Sequence, residues 1–269
     1  MLNYPQIDPV ALQLGPLKVH WYGVMYFVGL IIAFIVAKRK TKQPAYTFFA
    51  GPQVLDDLLS YCVLGIIIGG RLGFCFLYQP HDYITHPLDI FKIWMGGMSF
   101  HGGMVGVFVA VYLFAKKHHK SFFTISDFIA PLVPFGLFTG RMGNFINGEL
   151  YGKLCQPIHD WCMIFPNTDG LARHPSQLYE AFGEGLVLLL ILYLYSRTPR
   201  KTGQNSAVFL LGYGTIRFTI ELFRSPDSYA QWVVTDTGLS LGQWYCVPML
   251  IGGVIIYMMA NNSKFNDKR

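Results

Sequence analysis

Residues 21–40 read WYGVMYFVGLIIAFIVAKRK, and this stretch decides the fold. Its first 17 residues carry no charged side chain, and Lys38, Arg39 and Lys40 follow at once. A helix needs about 20 mostly apolar residues to cross the hydrocarbon core of a bilayer. The stretch therefore predicts a transmembrane helix that ends at a basic, water-exposed boundary.

Six further apolar runs follow the same pattern. The seven candidate spans cover residues 21–37, 55–78, 94–115, 122–141, 178–196, 205–223 and 243–260. Only 13% of the residues are charged, about half the fraction usual in soluble domains. We predict an all-α integral membrane protein of about seven transmembrane helices, with residues 1–269 as a single transmembrane domain. The fourth span is the weakest, because Pro131 and Pro134 interrupt it and Asp127 lies near its start.

The basic residues predict the orientation. They cluster after spans one, three, five and seven: Lys38, Arg39, Lys40 and Lys42; Lys116, Lys117 and Lys120; Arg197, Arg200 and Lys201; Lys264, Lys268 and Arg269. Because cytoplasmic loops are enriched in Lys and Arg, the N-terminus is predicted to lie outside the cell membrane and the C-terminus in the cytoplasm. Trp21, Trp94 and Trp244 each open a span from the outside, where tryptophan anchors helices at the interface.

The largest periplasmic connection covers residues 144–177, between spans four and five. Its mixture of Gly, Pro, Cys, His and Asp predicts a small periplasmic cap. Cys155 and Cys162 lie within it, and they form either a disulfide or two free, packed thiols. The five cysteines of the chain include no CxxC pair, so we expect no metal and no cofactor.

Apart from Asp56, Asp57 and Asp127 at cytoplasmic ends, seven acidic, basic or histidine residues lie inside the predicted spans, where a charge costs a few kcal/mol. They are Arg71, His101, Arg141, Glu180, Glu184, Arg217 and Glu221. At about 1.5 Å per residue, Arg217 lies roughly 18 Å from the cytoplasmic start of span six. Arg141 is predicted to end span four, and Arg71 and His101 to lie in the same outer half. Arg217 and Glu221 are four residues apart and can pair on one helical face.

Two interpretations of these charges stay open. The first interpretation needs no ligand. Arg217 and Glu221 then form a structural ion pair, Arg71 snorkels to the headgroups and His101 is an ordinary core histidine. Three arginines and a histidine at one depth instead favour an anionic ligand, such as a phospholipid headgroup, because guanidinium binds phosphate bidentately.

The glycines allow two interpretations as well. Gly65, Gly69 and Gly73 predict a face for close helix packing. The glycines around His101 either pack a helix or supply backbone amides to an oxyanion; they are Gly96, Gly97, Gly102, Gly103 and Gly106.

Several motifs together indicate a known family. Residues 140–149 read GRMGNFINGE and continue to Gly152, with HWYG at 20–23, GGMSFHGG at 96–103, RHPSQLYE at 173–180 and GYG at 212–214 before Arg217, Glu221 and Arg224. In this order, over nearly the whole chain, they resemble the prolipoprotein diacylglyceryl transferase family of bacterial inner membranes.

The resemblance implies a transferase that acts on two membrane substrates. Such an enzyme moves the diacylglyceryl group of phosphatidylglycerol to the lipobox cysteine of a preprolipoprotein, which forms a thioether and releases glycerol 1-phosphate. The expected partners are therefore phosphatidylglycerol, preprolipoprotein signal peptides and membrane lipids.

We assign catalytic roles to five residues as hypotheses. Arg141 and Arg217 are expected to hold the phosphate, because preorganised guanidinium groups stabilise a leaving phosphate. His101 is the candidate general base or positions the headgroup, and Glu149 or Glu221 either orients His101 or competes for that role.

The substrate-binding set is wider. Besides Arg141, Asn144 and Tyr22 are expected to hydrogen-bond the headgroup, Tyr213 to support Arg217, and Arg224 to contribute at the periphery. Gly152 completes this predicted set.

Other classes of protein fit the sequence less well. An anion transporter would place its charges near the midplane of two repeated halves. A rhodopsin-type photoreceptor needs a lysine in its last span, an aspartic peptidase paired intramembrane aspartates, and a zinc peptidase an HExxH motif; none of these is present. The net charge of +6 comes from short clusters between spans, so we expect no nucleic-acid partner.

Overall fold

The computed structural model describes residues 2–15, 17–77, 79–93, 96–166, 168–225 and 231–262. Helices dominate. The α-helices are α1 (Trp21–Lys40), α2 (Val54–Leu77), α3 (Pro80–Thr85), α4 (Phe100–Lys117), α5 (Phe122–Ile129), α6 (Val133–Ile146), α7 (Ser176–Glu180), α8 (Leu188–Tyr195), α9 (Gln204–Ile220), α10 (Gln231–Thr237) and α11 (Leu241–Asn261). Short 3₁₀ helices cover Pro44–Ala50, Pro87–Phe91 and Ala130–Leu132, and a π-helix covers Ala181–Val187.

Four short strands accompany the helices. Strands β2 (Val10–Leu14) and β3 (Leu17–His20) form an antiparallel hairpin directly before α1. Strand β1 (Leu2–Asn3) pairs in parallel with β4 (Met163–Ile164), so the start of the chain is joined to the predicted cap.

Five helical segments are long and apolar enough to cross a membrane: Trp21–Lys40, Val54–Leu77, Phe122–Ile146, Ser176–Tyr195 and Leu241–Asn261. Their outer faces remain apolar and uncovered by the protein, as Phe27 (64% exposed) and Leu190 (56%) illustrate. Extended apolar faces of this kind require a lipid or protein cover. The protein is therefore a mainly helical integral membrane protein that crosses the bilayer several times.

The third and sixth predicted spans correspond to α4 and α9, which do not belong to these five segments. The predicted start of span three was wrong. The part of residues 94–99 that is described is not helical, and α4 begins at Phe100 after Ser99, whose side chain accepts a hydrogen bond from the Gly102 amide. Trp94 lies outside the described residues, as do Lys264, Lys268 and Arg269.

The fourth span departs from a regular helix near Pro131 and Pro134, as these prolines predict. A 3₁₀ turn at Ala130–Leu132 joins α5 to α6. The predicted end at Arg141 was wrong, because α6 continues to Ile146. Arg141 therefore lies more than one turn before the end of its helix, among packed neighbours.

The chain divides into two compact units. The first combines residues 1–36 with 127–264, and the second is built from residues 37–126.

The second unit is built on the pair α2 and α4, which pack through glycine. A Cβ atom at Gly65 would lie 2.6 Å from the Gly106 carbonyl oxygen, and one at Gly73 would lie 2.6 Å from Cα of Gly102. The predicted small-residue face is thus confirmed, since only glycine permits this approach. Gly102 and Gly106 belong to the same contact, which assigns them to helix packing.

The first unit is tied together at one end by Asp127. Its carboxylate accepts hydrogen bonds from the amides of Gly203 and Ser206 and from the Ser206 hydroxyl, at 2.6–2.8 Å. These amides open α9, where helical N–H groups lack a partner within the helix. Asp127 therefore fixes the start of α9, the helix that presents Arg217.

Candidate functional site

Arg141 lies on α6 at the centre of a buried ion-pair network in the first unit. Its Nε lies 2.6 Å from Oε2 of Glu180. Its Nη1 donates to the side-chain oxygen of Asn144, one turn further along α6, at 3.3 Å. No contact with Nη2 of Arg141 is found within the described part of the chain, and the side chain is 20% exposed. One side of this guanidinium is thus open to a ligand.

The two carboxylates of Glu180 and Glu184 face Arg141 from the start of the fifth span. Both side chains are fully buried. Glu180 ends α7, and Glu184 lies in the π-helix that follows. A π-helix is rare and frequently occurs at functional sites. Here the junction of α7 with the π-helix places two acids four residues apart against the same pair of cations.

Arg217 on α9 closes the network from the other side. Its Nη1 donates to Oε1 of Glu180 at 2.9 Å and to Oε1 of Glu184 at 3.1 Å, and its Nη2 lies 3.1 Å from Glu221. The predicted pairing of Arg217 with Glu221 is confirmed. Because Glu180 contacts both Arg141 and Arg217, it sets the spacing of the two guanidinium groups.

Glu221 and Arg224 follow α9 and extend the network. Nη1 of Arg224 lies 3.4 Å from Glu221, and its Nε lies 3.6 Å from Oε1 of Glu180. Among the described residues, the network thus contains three arginines and three glutamates, whose charges balance. A balanced set still accommodates an anion, because guanidinium has five N–H donors and the acids occupy only some of them.

The loop after α6 is held from the start of α7. The side chain of Gln177 donates to the Glu149 carbonyl at 2.6 Å, and Ser176 donates to the Leu150 carbonyl at 3.0 Å. Asn144 donates to the carboxylate of Glu149 at 2.8 Å. A chain of contacts therefore runs from Arg141 through Asn144 to Glu149.

Gly152 pairs with the backbone of Arg224 as an isolated antiparallel bridge. A Cβ atom here would collide with the Phe223 carbonyl oxygen and lie 2.8 Å from the His174 carbonyl oxygen. The amide of Gly152 donates to that His174 carbonyl. The close approach explains the glycine and shows how Gly152 joins the loop to the segment after α9.

The family model described as prolipoprotein diacylglyceryl transferase matches residues 9–259. The chain belongs to this family. Among its relatives, a protein of Bordetella bronchiseptica named phosphatidylglycerol–prolipoprotein diacylglyceryl transferase is 51% identical over 96% of this chain and 97% of its own length. Proteins of the same name from Paracidovorax citrulli and an Azoarcus species are 46% and 49% identical, over 97–98% of this chain and 98–99% of theirs.

Most of the predicted site residues of this family member lie in the first unit. Arg141, Asn144, Glu149, Gly152, Arg217, Glu221 and Arg224 all belong to the contacts described above. Tyr22, on α1, donates from its hydroxyl to the hydroxyl of Tyr26 at 3.0 Å and packs against Gly143. Tyr213 lies one turn before Arg217 on α9 and stacks on Phe209.

His101 belongs to the second unit. It lies in the first turn of α4, where its ring meets that of Phe100 at a centroid distance of 5.7 Å. Its role as a base or as a headgroup ligand stays a prediction.

Arg71 does not have the open guanidinium that a phosphate ligand needs. It is 3% exposed, and its donors bond to backbone carbonyls of the loop before α4: those of Asp89, Ile90, Lys92, Gly96 and Gly97, at 2.6–3.2 Å. With five donors and five acceptors, none remains for a phosphate. Both interpretations of Arg71 were wrong, since it neither binds an anion nor snorkels to the headgroups.

The amides around His101 are occupied as well. Those of Gly96 and Gly103 donate to backbone carbonyls, and that of Gly102 donates to the Ser99 hydroxyl. The interpretation of these glycine amides as an oxyanion site is therefore wrong for Gly96, Gly102 and Gly103.

The sequence analysis assigned no role to two acids of the network. Glu180 and Glu184 appeared among the intramembrane charges, but they received no role. A usable signal existed, because two carboxylates four residues apart in a span require cationic partners. Ser176 and Gln177, which hold the loop after α6, gave no comparable signal.

The predicted cap has its own internal bonds. Cys155 and Cys162 form a disulfide, which resolves the alternative left open by the sequence. Burial, with a smaller contribution from His159, lowers the pKa of His174. The hydrogen bond from Arg173 lowers the pKa of Asp169. The described residues include no group of three or more His, Cys, Asp and Glu side chains that could hold a metal ion.

Proposed function

We propose that the protein transfers the diacylglyceryl group of phosphatidylglycerol to the lipobox cysteine of preprolipoproteins. The observation that carries the proposal is the pair of guanidinium groups of Arg141 and Arg217, held together by Glu180 inside an apolar helical unit. A phosphate diester is the anion that a lipid presents to such a pair, and guanidinium stays charged even when it is poorly hydrated. Family membership and the names of the relatives support the same reaction.

The reaction exchanges one bond to carbon for another. The cysteine thiol loses its proton, because the thiolate is the nucleophile. Its sulfur attacks the glyceryl carbon bonded to the phosphate oxygen, the C–S bond forms and the C–O bond breaks. Glycerol 1-phosphate leaves with the electron pair of the broken bond. Arg141 and Arg217 stabilise the additional negative charge on the departing phosphate.

The remaining site residues have supporting roles in this proposal. Asn144 hydrogen-bonds the headgroup and couples Arg141 to Glu149. Tyr22 also hydrogen-bonds the headgroup, while Tyr213 and Arg224 support Arg217. His101 accepts the thiol proton or positions the headgroup, and Glu149 or Glu221 competes for the proton. A fully active His101→Asn protein would exclude histidine as the base.

The proposed setting is the inner membrane of a bacterium, with seven spans in one domain. The basic ends of α1 and α4 lie in the cytoplasm, together with the basic residues after α8. The N-terminus and the cap of residues 144–177 then lie in the periplasm, where a disulfide is stable. Both substrates reach the site from the outer leaflet.

A mass-based transfer assay tests the proposal. Purified protein in detergent is mixed with phosphatidylglycerol and a peptide that carries a lipobox cysteine. We expect the peptide to gain the mass of one diacylglyceryl group, and a peptide with serine in place of that cysteine to gain none. Arg141→Ala should abolish the gain, whereas Arg39→Ala, at the exposed end of α1, should keep it. A folded wild-type protein that produces no mass gain would overturn the proposal.

A further inference from the structure

Glu184 has a carboxylate oxygen that its surroundings do not satisfy. The side chain is fully buried. Oε1 accepts a hydrogen bond from Arg217, but Oε2 has no hydrogen-bond partner among the described residues. The closest recorded cationic atom to Oε2 is Nε of Arg141, at 3.9 Å. A buried anionic oxygen without a donor is costly, so Glu184 is the least compensated acid of the network.

In the described part of the chain, Oε2 of Glu180 and Oε2 of Glu221 also lack a hydrogen-bond partner, but a guanidinium nitrogen lies within 3.1 Å of each. Glu180 has the closest cations. It lies 2.6 Å from Arg141, 2.9 Å from Arg217 and 3.6 Å from Arg224. Three cations therefore stabilise its charge at short range. If one carboxylate of the network gains a proton, the geometry selects Glu184.

The groups that face Glu184 come from four elements. They are Glu180 on α7, Arg141 on α6, Tyr213 and Arg217 on α9, and Cys246 on α11. Two of these are cations and one is an acid. Within the described part of the chain, Glu184 is therefore compensated by the two arginines that the proposed function assigns to the phosphate.

A bound phosphate diester changes the charge balance. The three arginines and three glutamates of the described network cancel in charge, and one phosphate diester adds a single negative charge. An uncompensated charge in a buried site costs several kcal/mol. Uptake of one proton from water restores neutrality, and Oε2 of Glu184, whose cation Arg141 lies 3.9 Å away, is the place for it.

We propose that Glu184 takes up one proton when an anionic phosphate diester binds to Arg141 and Arg217. The inference rests on the proposed function, because it assumes that a lipid phosphate occupies this site. Glu184 is in this view a positioning residue that sets the charge of the site. Phosphate binding in the wild-type protein weakens as the pH rises, by up to about tenfold per pH unit for one proton.

Calorimetry with a short-chain phosphatidylglycerol tests the inference without peptide. The binding enthalpy is measured in HEPES and in Tris, whose ionisation enthalpies differ, so the difference reports the protons taken up. We expect about one proton for the wild type and about none for Glu184→Gln, as linkage requires when the site lacks that acid. Asp57→Asn, which removes an acid from an exposed ion pair in the second unit, should keep the wild-type proton uptake.

The affinity of Glu184→Gln provides the second measurement. The variant site has one excess positive charge, so it should bind the lipid at pH 8 about tenfold more tightly than wild type, or better. If Glu184 served only to stabilise the fold, Glu184→Gln would bind the lipid more weakly than wild type. Thermal unfolding in the same detergent shows whether the variant is folded. If it is not, Glu184→Asp serves as the substitute. This variant keeps the acid, so it should take up a proton as the wild type does.

The outcomes separate the two proposals. An active wild-type enzyme that binds the lipid without proton uptake overturns the role of Glu184 alone, and so does an unchanged uptake in Glu184→Gln. A wild-type protein that takes up a proton with the lipid but transfers no diacylglyceryl group overturns the proposed transfer and supports the role of Glu184.

Discussion

The side-chain amide of Asn144 donates a hydrogen bond to Oε1 of Glu149 at 2.8 Å. The oxygen of the same amide accepts a hydrogen bond from Arg141. An amide can serve both neighbours, whereas a carboxylate has no donor for Glu149. Asn144 is thereby the link between the buried network and the exposed loop after α6.

Asn144→Asp should therefore lower diacylglyceryl transfer by at least about tenfold, the effect of losing a hydrogen bond to a charged group. The new carboxylate also repels Glu149, and the repulsion is relieved when one of the two is protonated. The deficit should be larger at pH 8 than at pH 6. Equal deficits at both pH values would contradict the proposed link.

Arg217→Lys should reduce the transfer rate by about 10² or more. Lysine keeps the charge but cannot contact Glu180, Glu184 and Glu221 while it holds a phosphate bidentately. The assay is single-turnover transfer to a lipobox peptide. Lys201→Arg, the reverse exchange at the cytoplasmic end predicted for α9, is the control and should have wild-type rates. A wild-type rate for Arg217→Lys would exclude the bidentate role.

Arg71→Met should damage stability without damaging lipid binding. The change leaves five backbone carbonyls of one loop without their donor, and each unsatisfied buried group costs about 1–3 kcal/mol. We expect the unfolding temperature in detergent to fall by about 5 °C or more. The KM for phosphatidylglycerol below that temperature should match wild type. A raised KM with unchanged stability would indicate instead that Arg71 binds the substrate.

Gly69→Ala should separate α2 from α4. A Cβ atom at this position would collide with the Gly102 carbonyl oxygen and lie 2.8 Å from Cα of Gly106. We expect a lower unfolding temperature, measured by tryptophan fluorescence in detergent. Gly252→Ala is the matched control, because a Cβ atom at Gly252 on α11 meets nothing within 4 Å. The control should unfold at the wild-type temperature or slightly above it.

The predicted cap should lose stability in acid through His174. Burial lowers the pKa of His174 in the folded state, so the unfolded chain binds the proton more readily. The corresponding stability is present above the ordinary histidine pKa of about 6.5 and is lost as the pH falls through the lower, folded-state value. Thermal unfolding between pH 7.5 and pH 5 should show this loss. His174→Gln should weaken the pH dependence, and an unchanged dependence would assign it to another group.

The sequence was most informative for features that depend on residues close together in the chain. Apolar runs such as residues 21–37 predicted membrane helices, because lipid requires internally bonded backbone. Glycines spaced by four predicted the contact of α2 with α4. The pair Arg217 and Glu221 followed from helical spacing alone.

Features that depend on distant partners were not predictable in the same way. Arg71 resembles any intramembrane arginine until the carbonyls of residues 89–97 are placed around it. The roles of Glu180 and Glu184 depend on α6 and α9, which are remote in sequence. The start of α4 at Phe100 depends on the Ser99 cap and on a loop that a hydropathy pattern does not resolve.

The pairing of β1 with β4 has a consequence for biogenesis. Leu2 and Asn3 are made well before their partners Met163 and Ile164, which follow α6 in the chain. Contacts so distant in sequence form slowly, since a long loop must close first. Strand β1 therefore stays unpaired until the middle of the chain has been made. A bulky insertion next to β1 should delay the maturation of the enzyme, whereas an insertion after α11 should not.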